Sequence, residues 1–250
     1  MSSHLSLRSG NPVLKANTFI QRQTTIDTGT MTITGTVNKT ALGLLLLMTT
    51  AIFTWNMAPT DPRMSALMMV GIFGGLIAAI ITVFKRHLAP YTTPIYALLE
   101  GLALGGISRF FETLYPGIVN QAVFLTFGTL AALLFAYQSG LIKPTENFKL
   151  GIVAATGGIF FVYIISFILG LFGVQVPLIH SNSNFGILFS FGVVVIAALN
   201  LVLDFDFIEE GAEIGAPKYM EWFGAFGLLV TLVWLYLEIL HLLAKLQSRR

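Results

Sequence analysis

From Thr40 onward the chain alternates long apolar runs with short polar breaks, and seven of the runs approach twenty residues. They cover Thr40 to Met57, Met64 to Phe84, Tyr91 to Phe110, Gln121 to Ile142, Leu150 to Phe172, Phe185 to Ile208 and Phe223 to Leu243. A helix rises ~1.5 Å per residue, so roughly 20 apolar residues cross the ~30 Å hydrocarbon core of a bilayer. The pattern predicts an all-α polytopic membrane protein, a seven-transmembrane-helix bundle filling residues 40–246. Its links are too short to hold a soluble domain, so any activity must lie within or between the helices.

Residues 1–39 break the pattern: they are polar and rich in Ser and Thr, and are expected to form a disordered cytoplasmic tail. No apolar core precedes a small-residue cleavage site, which excludes a secretory signal. Arg8, Lys15, Arg22 and Lys39 against the single acid Asp27 also fit a weak organellar transit peptide. The sequon Asn38-Lys39-Thr40 abuts the first run and would stay unmodified on a cytoplasmic tail.

Composition strengthens the membrane reading. Of 250 residues 55% are hydrophobic and 10% charged, with a mean hydropathy of +0.81, whereas soluble domains carry about 25% charged residues. The net charge of +2 is small and its basic residues are scattered, so no nucleic-acid partner is expected. There is no cysteine, which excludes disulfides, thiolate metal sites and a Cys nucleophile.

Charge placement predicts orientation. With the N-terminus inside, the cytoplasmic segments hold Arg8, Lys15, Arg22, Lys39, Lys85, Arg86, Lys143, Lys149 and Lys218, and the outer loops only Arg63 and Arg109. Lys245, Arg249 and Arg250 oppose the bias, and a re-entrant last segment would return them to the cytoplasm. The last run is broken only by Glu238 and His241, which favours a full crossing. Gly101 and Gly105, with Gly106 beside them, form a G-x-x-x-G packing motif, and Gly74, Gly75, Gly157 and Gly158 suggest further close approaches. The passage from Glu209 to Glu221 is expected to be an interfacial loop with Tyr219 and Trp222 at headgroup depth; its acids lack the spacing of a calcium loop.

Candidate chemistry rests on the groups that are costly in lipid. Glu100, Asp204, Asp206, Glu238 and His241 lie inside the runs, with Asn200 and Gln121 merely polar. A charge at a helix centre costs ~2.5–3.5 kcal/mol on insertion scales, so each is a candidate functional residue. Asp204 and Asp206, two apart, point about 200° from each other on a helix. Asn200 shares the face of Asp204 toward the interior, and Asp206 goes with the acidic loop. Glu238 needs an interior partner: it either shares a proton with Asp204, giving a pair whose charge follows pH, or makes a single interhelical hydrogen bond. Glu100 either lines the same cavity or bonds a Ser or Thr. The E-x-x-H spacing of Glu238 and His241 is used by metal ligands in bundles, but no second copy occurs, so no metal and no cofactor is expected.

Three passages together resemble the Bax inhibitor (transmembrane Bax inhibitor motif) family, and within it the bacterial YccA-like branch: "LVLDFDFI" with Asp204 and Ile208, "LYLE" with Glu238 where the family pattern has Asp, and the Gly-rich "EGLALGG" from Glu100 to Gly106. The resemblance covers nearly all of the chain after the polar tail. It implies a seven-helix bundle with the last helix central, in a bacterial inner membrane, acting as a pH-sensitive calcium or cation leak. The carryover makes Asp204 and Glu238 proton sensor and gate, with Asn200, Asp206 and Glu100 in support. Depth strains that pairing: Asp204 is ~6 Å from the end of its run and Glu238 ~22 Å from the start of its own, so the seventh helix would have to begin outside the membrane, with Trp222 to Gly227 on the surface.

A different class of function is a regulator that binds and restrains a membrane-embedded protease without ion flux, again as the resemblance implies. An enzyme is not expected. An intramembrane aspartyl protease would need G-x-G-D and Tyr-Asp motifs, and neither these nor a nucleophile elbow occurs. The partners implied are the lipid bilayer, a cation and, in the second reading, a protease.

Overall fold

The computed structural model describes residues 29–173 and 183–249, and seven long helices account for most of these described residues. We number them α1 (Ile33–Trp55), α2 (Pro62–Phe84), α3 (Ala89–Leu114), α4 (Ile118–Gln138), α5 (Glu146–Leu171), α6 (Asn184–Glu213) and α7 (Met220–Gln247). Most starts carry an ordinary signal: Thr32, Asp61, Thr145 and Ser183 each accept a first-turn amide through their side chains, which satisfies donors no helix can satisfy internally. The turn from α3 to α4 is built differently. Gly117 takes φ 85° there, and the Glu112 carboxylate accepts the amides of Gly117 at 2.6 Å and Val119 at 3.1 Å.

Several boundaries move from where apolarity alone put them. α1 begins at Ile33 and not Thr40, because Thr32 caps it and its first polar turns face protein: Thr36 is fully buried. α6 continues five residues past Ile208, so much of the expected acidic loop is helix. α7 starts at Met220, and Gly224, Ala225 and Phe226 are buried in the bundle, so the stretch from Trp222 to Gly227 does not lie on a surface.

Contacts between helix ends show that successive helices run in opposite directions. At one end, the start of α1 meets the start of α7 (Thr32 to Glu221), α3 begins beside α7 (Thr93 to the Trp222 carbonyl), and the end of α4 and the start of α5 meet the end of α6 (Tyr137 to Glu209, Lys149 to Asp206). At the other end Arg109 of α3 lies over the Trp55 ring of α1, and Arg249, just past α7, bonds Asn184 of α6. α7 therefore runs as one continuous helix from one end of the bundle to the other.

Six of the seven helices are long and apolar enough to cross a membrane; α3 is not. The reason is its position. α3 packs along both α1 and α2 and touches α7, and it buries Thr92, Thr93, Ser108 and three glycines, so few of its side chains need to suit lipid. Gly101 and Gly105 sit against the backbone carbonyls of Leu47 and Ala51 of α1, inside the distance a Cβ would require. Gly157 and Gly158 have open space around them and mark no close approach, contrary to the pattern-based expectation. α7 packs against α1, α3, α4 and α6, and over half of its most apolar stretch is buried. α5 is the opposite case: Ile152 is its one buried residue.

Glu221 locks the end where α1 and α7 start. Its fully buried side chain receives Lys39, Lys218 at 2.7 Å, and both the amide (2.9 Å) and hydroxyl (2.8 Å) of Thr32. Two cations and two further donors compensate the desolvation that would otherwise make a buried carboxylate costly. Beside it, Lys39 lies over the Trp222 ring and the Met31 amide bonds the Ala216 carbonyl. The sequence reading placed Glu221 in an interfacial loop; the fold makes it a structural anchor.

Candidate functional site

α6 and α7 are antiparallel neighbours, and the acids singled out by their cost in lipid are distributed along them. Asp204 projects from α6 against α7, where its Oδ1 stands 3.4 Å from the place a Cβ on Gly227 would occupy; Thr231, one turn on, interacts with it. The second oxygen, Oδ2, is buried and has no hydrogen-bond partner among the described residues. That is an uncommon state for so polar an atom.

Glu238 is buried two turns farther along α7 than Thr231, about 10 Å by helical rise. Its Oε1 accepts the Tyr163 hydroxyl of α5 at 2.9 Å and the Trp234 indole N–H at 3.1 Å. Asp204 and Glu238 thus lie on the same bundle seam at different depths, each with its own neighbours, and the structure does not bring them into a direct hydrogen bond. The depth mismatch computed from the sequence persists because α7 begins inside the bundle.

The supporting residues are placed differently from their sequence assignment. Asn200 turns to α5 and not to α7: its Nδ2 donates to Thr156 Oγ1 and to the Ile196 carbonyl, both at 2.8 Å. Asp206 pairs with Lys149 at 2.5 Å, while Glu146 stands 3.5 Å from the same ammonium. Glu100 does not join the seam, since its Oε2 packs against Gly75 at the α2–α3 contact. His241 rests edge-on to Phe111, with ring centroids 5.3 Å apart. Among the described residues no group of three His, Cys, Asp or Glu side chains could hold a metal ion.

Lys149, Thr156 and Tyr163 recur every seven residues, two helical turns, so they share one face of α5. They meet Asp206, Asn200 and Glu238 in turn. A helix with almost no buried apolar surface is therefore held to the bundle through a polar line that covers the α6–α7 seam. Sequence reasoning missed all three residues because it searched for acids. The seven-residue recurrence was the signal that could have found them, and Trp234, one turn before Glu238, was readable as its neighbour by spacing.

The family model described as Bax inhibitor 1 like matches residues 11–248. The chain belongs to the Bax inhibitor 1 like family. The match includes α1 to α7 entire, and so every acid of the seam in this family member. No curated relative and no solved structure matches it.

Proposed function

We propose that this Bax inhibitor 1 like protein is a pH-sensitive leak for calcium or another cation, with Asp204 and Glu238 as the acid sites of its path. The buried Oδ2 of Asp204 carries the reading. It is a carboxylate oxygen deep between helices with no donor among the described residues, and a cation or proton is the partner such an atom lacks. Glu238 is the second station along α7, where Tyr163 of the α5 polar line meets it. Neither of the two cavities lined by α1 and α4 includes these acids. The test is purified protein in liposomes loaded with a calcium dye and scanned over pH. PH-dependent entry above protein-free liposomes is expected; its absence would move the assignment to restraint of a membrane protease without flux.

In this reading the chain crosses the membrane seven times with α7 central, α3 included because its ends lie at opposite ends of the bundle. The end where α1 starts carries Lys39, Lys85, Arg86, Lys143, Lys149 and Lys218, against Arg63, Arg109, Lys245 and Arg249 at the other, so it faces the cytoplasm. The resemblance of the three passages together to the YccA-like branch supports a bacterial inner-membrane location. Because the chain lacks cysteine, single cysteines report topology directly. One at Ser3 should be protected from an impermeant thiol reagent in intact cells and one at Thr60 labelled; the reverse pattern would overturn the orientation.

A further inference from the structure

α1 and α4 flank α7 without packing closely on one another, and the crevice between them holds two cavities. The larger, about 650 Å³, is lined on one wall by Ile33, Val37 and Leu44 of α1 and on the other by Leu130 and Leu134 of α4. The smaller, about 230 Å³, continues toward Trp55 and is almost wholly apolar. Both touch Leu44 of α1 and Leu232 of α7, so one crevice runs the length of α1. From Ile33 to Leu44 is eleven residues, or ~16 Å, the depth of one leaflet, and Leu44 to Trp55 is the same again. The larger cavity therefore occupies one leaflet and the smaller the other.

The mouth of the larger cavity is polar. Lys143, Gln138, Tyr137 and Glu209 line it, and the Tyr137 hydroxyl donates to Glu209 and fixes that carboxylate beside the opening. A cation and an anion thus sit together at headgroup depth above an apolar slot one leaflet deep.

We propose that the α1–α4 crevice is a binding site for a phospholipid with a zwitterionic, primary-ammonium headgroup. Its phosphate takes Lys143, its ammonium takes Glu209, and one acyl chain runs between Val37 and Leu134 down to Leu44 and Leu232. A purely anionic headgroup satisfies Lys143 but sets a phosphate beside the Glu209 carboxylate with nothing to pair it, which disfavours that class. The occupancy is structural and does not depend on ion flux.

Native mass spectrometry of the full chain, reconstituted with equal amounts of phosphatidylethanolamine and phosphatidylglycerol and then extracted in detergent, reads retention directly. Phosphatidylethanolamine adducts are expected to exceed phosphatidylglycerol adducts. Lys143→Ala should lower retention by about tenfold, the loss of one charge-assisted contact, and Glu209→Gln should abolish the preference between the two lipids. Val37→Trp should fill the slot and displace adducts, with Leu134→Trp on the facing wall as its replacement if that variant does not fold. Ile77→Trp, on the exposed face of α2, should change nothing. Preference for phosphatidylglycerol in the unsubstituted protein, or retention unchanged by Lys143→Ala and by the slot-filling variants, would overturn the site.

Discussion

Alanine at Gly101 or Gly105 is expected to destabilise the bundle more than any other single-methyl addition in the described chain. A Cβ at either position would fall inside contact distance of an α1 backbone carbonyl, Leu47 or Ala51 respectively, and of a Thr hydroxyl that itself bonds the same turn. A flexible side chain could move aside, but backbone cannot without shifting α1 off α3. Overpacking ordinarily costs ~1–3 kcal/mol, and the backbone clash places these two substitutions at or above the upper figure, with the double substitution losing the fold. Thermal unfolding in detergent, followed by size-exclusion of the heated sample, checks this. Gly157→Ala and Gly158→Ala supply the contrast. Nothing lies near either Cβ position, so the usual helix preference for Ala over Gly, ~0.5–1 kcal/mol, should leave them neutral or slightly more stable. If all four behaved alike, the close α1–α3 approach would be wrong.

The same glycines show how far the sequence could be read. Their spacing announced packing, but spacing alone could not separate Gly101 and Gly105, which meet a neighbouring backbone, from Gly157 and Gly158, which face open space. Apolar run length located all seven helices, because the demand of lipid on a helix surface is strong and local. It failed at α3 as a membrane criterion and at the first turns of α1, since side chains that face protein escape that demand, and Thr36, Lys39, Thr92 and Ser108 could therefore be polar. The acids were found for the complementary reason: a carboxylate in an apolar run is visible in one dimension. Their partners were not. Whether Asn200 or Glu100 joins Asp204 depends on helix rotation and on which helix lies opposite, and α5 took Asn200 through Thr156 and Asp206 through Lys149. Glu221 was misread because a Glu-rich link with a single Lys looks interfacial until Thr32 and Lys39 are folded back onto it.

Asp204→Asn and Glu238→Gln are each expected to abolish or strongly shift the pH response of cation flux in liposomes, with flux at the most active pH falling by about tenfold, the equivalent of ~1.4 kcal/mol. Both changes keep side-chain volume. Gln at 238 can still accept the Tyr163 hydroxyl and the Trp234 N–H through its one carbonyl oxygen, so the α5 contact survives and a lost response reports on the missing titratable group, not on unfolding. Asp206→Asn removes the ion pair with Lys149 at the edge of the bundle and faces away from α7; it should loosen the start of α5 and leave the pH response nearly unchanged. The distance along α7 between the two acids adds a sharper expectation. Groups about 10 Å apart by helical rise, with separate hydrogen-bond partners, should act as two stations, so the double variant should approach the sum of the single effects expressed as free energies. A double variant no worse than either single one would mean that Asp204 and Glu238 meet and work as one proton-sharing unit in the conducting state, and α6 and α7 would then have to slide by about two turns between states. An unchanged pH response in both single variants would remove the two acids from the path altogether.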